Sequence, residues 1–422
     1  MFETKSLWPL IGDELQRNTT LPLTQLLLQI LVILIVGKLC GLIAKRIGQP
    51  QVIGEMVAGI LIGKSVLALI APETFESLFP ETSLPALSAL SQIGLIIFMF
   101  IVGLELDWNK LKDKAASALL VSPVSILFPF LLGSLSAFVL FDDYAPPGVP
   151  FHSFSLFMGI AMSITALPVL ARILRERQMT QTPLGTLALT CAAIDDVTAW
   201  CMLALVIGIT KSASAANAIG VVGLSMIYIA AMLKVVRPIV RRTLEKHGNG
   251  ALNHDQIMMI FLVVLGSAVL TEIIGIHALF GAFVAGTIMP RDTRFRTDLE
   301  HRLDVVSVVL LPLFFAFTGI RTQIGLLNDF SSWAVLIVIV ALAVIGKLVG
   351  SALAARLSGN SWRDSWALGV LMNTRGLMEL VVLNIGYDLG ILSAKMFTIL
   401  VVMALVTTIM TGPLLTKITR HS

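Results

Sequence analysis

Thr190-Cys-Ala-Ala-Ile-Asp-Asp-Val-Thr-Ala-Trp200 places two adjacent carboxylates, Asp195 and Asp196, inside an apolar stretch that runs from about Leu184 to Ile209. A stretch of that length crosses a bilayer, which takes roughly 20 residues. An acid at the bilayer centre costs about 2.5–3.5 kcal/mol on insertion scales. Helix ends are where acids reach water cheaply, but apolar and small residues flank this pair on both sides. The pair therefore reads as an ion- or proton-binding site that faces a watered cavity.

Around that stretch the composition is of one kind. Of 422 residues, 56% are hydrophobic and only 13% charged, against about 25% charged in soluble domains. The chain reads as an all-α polytopic membrane protein. An outer-membrane barrel is excluded because the apolar runs are continuous rather than alternating. The net charge of +4 reflects orientation in the membrane, not nucleic-acid binding. Cys40, Cys191 and Cys201 fall in apolar spans without metal-ligand spacing and read as small hydrophobes. Residues 1–20 are mixed and polar, with no short cleavable signal.

Thirteen apolar spans are expected, near 21–44, 52–70, 86–106, 115–141, 151–174, 184–209, 216–236, 255–275, 277–290, 303–321, 333–356, 363–387 and 394–416. The ninth is short and Gly-rich, so a tilt or partial break is expected there. Taking alternate loops as one side puts 21 Lys and Arg on one face and six on the other. The basic face is then cytoplasmic, the N-terminus outside and the C-terminus inside. A bacterial inner membrane is the expected location. Three bases remain in the spans. Lys38 can snorkel to the cytoplasmic face, whereas Lys347 and Arg375 lie deeper and need partners.

An odd number of spans suggests six, a linker and six, so that the halves have opposite topology, the inverted-repeat plan of many secondary transporters. The expected divisions are an extracytoplasmic segment over 1–20, a first repeat over 21–209, a linking helix and loop over 210–254, a second repeat over 255–417 and a tail over 418–422. That plan predicts helix breaks at matching places. The fifth span carries Ser163-Ile-Thr-Ala-Leu-Pro168 and its counterpart carries Asn373-Thr374-Arg375-Gly376. Paired interruptions point to a transport site.

Adjacent helical residues point about 100° apart, so one acid of the pair can be tied to a neighbouring helix while the other faces a cavity. Lys347 is the buried counter-charge, and pairing lowers the cost of both groups. Asp195–Lys347 with Asp196 free is the preferred assignment, although spacing alone permits the reverse. A cation and a proton would compete at the free acid. Ser163 and Thr165 add hydroxyl oxygens, and unwound backbone near Thr165 and Asn373 frees carbonyls for a hard cation. Arg375 and Glu379, four apart, can pair with each other. Glu55 reads as helix packing beside the Gly54, Gly59 and Gly63 spacing, Glu105 as interfacial, and Glu272 and His277 as lying toward the outside, with pH sensing a minor reading for His277.

Several segments together resemble the second monovalent cation:proton antiporter family, the sodium/hydrogen exchanger fold. They are Gln49-Pro50, Gly54-Glu55, Phe98–Leu106, Ser163–Leu170, Ala193–Val197, Gly275–Phe283, Leu313–Gly319 and Asn373–Gly386, in order along nearly the whole chain. The last of these and Ala193–Trp200 are similar to the branch of plant and fungal potassium/proton exchangers. The resemblance implies crossed broken helices in a core that moves, elevator-like, against a dimerisation domain in a homodimer. It assigns Asp196 to ion and proton binding, Asp195 to the salt bridge with Lys347, and Thr165 to the neighbourhood of the ion. Ligand-gated members carry a C-terminal nucleotide-binding domain. This sequence ends at Ser422, so such gating would need a separate subunit.

The expected partners are a monovalent cation (K+ or Na+), H+ and the lipid bilayer, with no cofactor and no enzymatic activity. A sodium-coupled symporter would show a larger substrate cavity with aromatic or Arg anchors. A channel would show a repeated pore motif, and a membrane sensor would tolerate loss of Asp196.

Overall fold

Hydrocarbon offers no partner to a backbone amide or carbonyl, so each apolar run closes its own hydrogen bonds as a helix. The computed structural model describes residues 18, 21–105, 115–180, 182–211, 215–245, 252–290 and 292–419. Among these there are helices and no strands. Most of the 1–20 segment, the tail beyond 419, the basic residues over 110–114, the carboxylate of Glu105 and the ring of Pro168 lie outside the described residues.

The principal helices are α1 (Pro22–Arg46), α2 (Gln51–Ile62), α3 (Leu84–Glu105), α4 (Ala115–Tyr144), α5 (Phe151–Ser163), α6 (Leu167–Glu176) and α7 (Pro183–Lys211). Helix α8 runs as Ala215–Ala231, a π-turn over Met232–Val236, and Arg237–Glu245. Then follow α9 (His254–Ile274), α10 (Ala278–Thr287) and α11 (Thr293–Arg321). Helix α12 runs as Phe330–Val344, a π-turn over Ile345–Val349, and Gly350–Leu357. The last three are α13 (Trp362–Met372), α14 (Leu377–Asp388) and α15 (Ala394–Thr419).

Ten helical stretches among the described residues are long and apolar enough to cross a membrane. They fall on ten of the thirteen expected spans. The other three, 151–174, 277–290 and 363–387, are the interrupted or short ones. The first is split into α5 and α6, the last into α13 and α14, and the middle one is the ten-residue α10. Helix α10 is continuous, and His277 caps its start with φ 83° and its Nδ1 accepting from the Leu279 amide.

The packing falls into two groups. Helices α1, α2, α3, α9, α10 and α11 pack on one another, and so do α4, α5, α6, α7, α12, α13, α14 and α15. Helix α8 touches both groups through α7 and α9, and α11 meets α14. Within the first group, a Cβ at Gly59 would stand 2.1 Å from the Ala316 carbonyl oxygen, so α2 and α11 approach backbone to backbone. A cavity of about 1000 Å³ opens where the groups meet, with Phe317 and Arg321 of α11, Tyr387 of α14, and Lys64, Glu76 and Glu81 in its lining.

Candidate functional site

The two broken spans cross where their helices are unwound. The stretch between α5 and α6 runs over 164–166, and that between α13 and α14 over 373–376. The Ala166 amide donates to the Thr374 carbonyl at 3.0 Å. A Cβ on Gly376 would meet Val169 Cγ2 at 2.7 Å and the Ala166 Cβ at 3.3 Å, so the crossing is tight against α6. Some of the carbonyls freed by unwinding are therefore used by the partner strand rather than left open.

Half-helix ends carry partial charges that need compensation in a dry setting. Arg375 supplies it for α5. Its guanidinium donates to the last-turn carbonyls of Ala161 (2.8 Å) and Met162 (2.6 Å). Glu379 stands in the first turn of α14, where an acid is favourable. Its Oε1 lies 3.1 Å from Arg375 Nη1, although neither carboxylate oxygen closes a hydrogen bond. The pair thus joins the unwound stretch to the helix that follows it, both side chains being fully buried.

The two aspartates of α7 face opposite circumstances. Asp195 has a donor on each oxygen. Its Oδ1 accepts from Ser122 at 2.6 Å. Its Oδ2 accepts from Ser125 at 2.8 Å, Thr165 at 2.9 Å and Lys347 Nζ at 3.0 Å. Lys347 sits in the π-turn of α12, and its side chain, like that of Asp195, is fully buried. π-Turns inside helices recur at functional sites. Asp196 is 1% exposed and neither of its oxygens has a hydrogen-bond partner. The Leu167 amide at the start of α6 faces it, and the positive end of that half-helix suits a carboxylate.

The remaining expected residues are placed as follows. Thr165 hydroxyl lies within reach of both Asp195 and the Met372 carbonyl (3.2 Å). Ser163 is buried, but its hydroxyl turns back to the Ile160 carbonyl. Pro168 falls at the second position of α6. Asn373 and Thr374 are buried with their side-chain polar atoms unpartnered. Asp196, like them, has no side-chain partner, the setting in which water or an ion completes the bonding, whereas Glu379 keeps its ion pair with Arg375. Gly54, Gly59 and Glu55 lie in α2, where Gln51 Nε2 donates to Glu55, and Ile53 and Met56 of the same helix line a small pocket with Val169, Arg375 and Gly376. Sequence reasoning missed Ser122 and Ser125. The one signal available was that they are the i and i+3 hydroxyls of a single apolar span.

A family profile described as "Sodium/hydrogen exchanger, transmembrane" matches residues 30–421. The chain belongs to the sodium/hydrogen exchanger family. Within this family it is 46% identical over 396 residues to the Na(+)/H(+) antiporter NhaS4 of Synechocystis sp., a match covering 93% of this chain and 97% of that relative. It is 34% identical over 408 residues to the K(+)/H(+) antiporter 1 of Saccharomyces cerevisiae, covering 94% of this chain and 46% of the longer yeast protein. The fold is similar to the sodium proton antiporter MjNhaP1 of Methanocaldococcus jannaschii, with TM-score 0.67, 14% identity, and 94% and 97% of the two chains covered. The family is one of membrane transporters, not enzymes, and this member is a multi-pass membrane protein.

Proposed function

We propose that this chain is a secondary antiporter that exchanges a monovalent cation, K+ or Na+, for H+ by competition at Asp196. The observation that carries the reading is the contrast within the acidic pair. Asp195 has four side-chain donors and Asp196 has none, only the Leu167 amide facing it. A buried carboxylate without a partner must take a proton or a cation to be stable.

The charge balance supports the same reading. The buried ionisable groups around the crossing are Asp195, Asp196, Glu379, Lys347 and Arg375, three acids against two bases. One negative charge is left over when all are ionised. One monovalent cation or one proton neutralises it, and the two cannot occupy one carboxylate together. A site that faces one side at a time then exchanges one for the other. In this reading Lys347 holds Asp195, while Arg375 and Glu379 brace the crossing. Thr165, Asn373 and Thr374 offer oxygens beside the ion, and Ser163 stands behind them.

The wider architecture belongs to the same proposal. Thirteen crossings arise if the broken pairs α5/α6 and α13/α14 and the short α10 each count once. Residues 21–209 and 255–417 are then inverted repeats joined by α8. The group holding the broken helices moves, elevator-like, against the other, which also carries the contact of a homodimer. The N-terminus lies outside and the C-terminus inside a bacterial inner membrane, by the distribution of Lys and Arg. The relatives carry sodium, potassium and unspecified cations in their names, so the cargo is set by experiment.

The test is reconstitution in liposomes with an internal pH dye and an imposed proton gradient. Sodium, lithium or potassium chloride is added to wild type and to Asp196→Asn. One of the cations is expected to collapse the gradient in wild type and none in the variant. If no cation moves protons across a range of pH, the antiport reading is overturned. Equal responses from wild type and variant would remove Asp196 from its assigned role.

A further inference from the structure

Hydroxyls in apolar helices ordinarily turn back to a carbonyl three or four residues earlier. Ser136, Ser163, Thr190, Thr198 and Ser225 do so here. Ser122 and Ser125 of α4 behave differently. Both are fully buried, three apart on one face of the helix, and both donate across to α7. Ser125 also lies 3.0 Å from the Ser122 carbonyl, but its distance to Asp195 Oδ2 is the shorter, at 2.8 Å.

A carboxylate offers about four lone-pair sites. On Asp195, Oδ2 is shared by Ser125, Thr165 and Lys347, whereas Oδ1 is held by Ser122. With those donors in place both oxygens of Asp195 are engaged, Oδ2 by three donors and Oδ1 by Ser122 alone, so that Ser122 is what an entering cation must displace. Without them, Oδ1 of the buried anion one residue before Asp196 stands open, and an open buried acceptor is costly until something fills it.

We propose that Ser122 and Ser125 are positioning residues that reserve Asp195 for Lys347 and so leave Asp196 as the one carboxylate of the pair open to the cargo. This inference rests on the exchange at Asp196 proposed above. It gives α4, whose charged residues Asp142 and Asp143 stand in its last turn far from Ser122 and Ser125, a part in choosing the ligand. Opening Asp195 adds a second anionic ligand, so the cation is held more tightly and released more slowly.

The experiment compares wild type, S122A/S125A, S122T/S125T and D196N in proteoliposomes, titrating sodium or potassium chloride against dye-reported proton movement. The alanine pair is expected to lower the half-saturating cation concentration by about tenfold, the size of one hydrogen bond to a charged group, with a reduced maximal rate. The threonine pair restores the hydroxyls and is expected to stay within about threefold of wild type. Should the alanine pair fail to fold, S122A alone carries the same expectation, since it vacates Oδ1 and keeps Ser125. A half-saturating concentration that is unchanged or raised overturns the inference, because a merely structural role lowers the amount of active protein and not its affinity. A D196N protein that exchanges like wild type overturns instead the reading on which the inference rests.

Discussion

Lys347 Nζ lies 3.0 Å from Asp195 Oδ2, with both side chains shielded completely from solvent and a separation of 152 positions along the chain. Breaking a buried pair by removing one partner costs about 3–5 kcal/mol, because a charge is stranded. Lys347→Gln is expected toward the lower end, since three hydroxyls still hold Asp195. The doubly neutral D195N/K347Q should lose less than the sum of the single changes. Thermal unfolding of the purified proteins in detergent measures both.

The crossing depends on the absence of a side chain at Gly376. In Gly376→Ala the new Cβ meets Val169 Cγ2 at 2.7 Å. Overpacking of that kind costs about 1–3 kcal/mol. Exchange should fall steeply while the protein still inserts and purifies. Val169→Ala in the same chain removes the clashing methyl and should return much of the activity, as read by the liposome assay.

Arg375 bonds two adjacent carbonyls and faces Glu379, a task for a planar fork rather than a point charge. Arg375→Lys should therefore be nearly as damaging as Arg375→Gln. R375Q/E379Q removes the stranded carboxylate and should unfold at a higher temperature than R375Q alone.

Arg321 at the end of α11 joins the two helix groups. It reaches Asp388 at 2.7 Å and Asn384 at 3.1 Å, and stacks over Phe317 and Tyr387 beside the cavity. The pair is partly solvated, so its loss should change stability by no more than about 1 kcal/mol. If the groups move past each other, Asp388→Asn will nonetheless alter the exchange rate. An unchanged rate at equal protein level would show that this contact does not resist the motion.

Asp329 caps the start of α12, accepting from the Ser332 amide and hydroxyl and from Lys395. The Ser332 hydroxyl first, and the Lys395 ammonium next, lower its pKa from 3.8 to about 2. A depressed acid contributes stability above its unfolded value and loses it as pH falls through the folded one. The cap should thus hold at pH above 4 and fail as pH drops toward 2. Hydrogen exchange at Ser332 should be faster in Asp329→Asn than in wild type at neutral pH, and the two should converge at the acid end.

The chain by itself determined the membrane class, the place of ten spanning helices and the two interruptions within Ser163–Pro168 and Asn373–Gly376, because these follow from local rules. Hydrocarbon demands an apolar run that closes its own hydrogen bonds, and Pro, Gly, Asn and Thr mark where that closure stops. It also marked Asp195, Asp196 and Lys347 as costly enough to need a purpose. It left open, from spacing alone, which aspartate meets the lysine. It also did not single out Ser122 and Ser125, which look like any serines in an apolar helix. Those points were decided by tertiary structure. Ser122 reaches Asp195 across 73 residues, Lys347 across 152, and Arg375 reaches Ala161 across 214. Contacts of that range depend on how helices cross and which face each turns inward, and no pattern along a single helix records the faces of its neighbours.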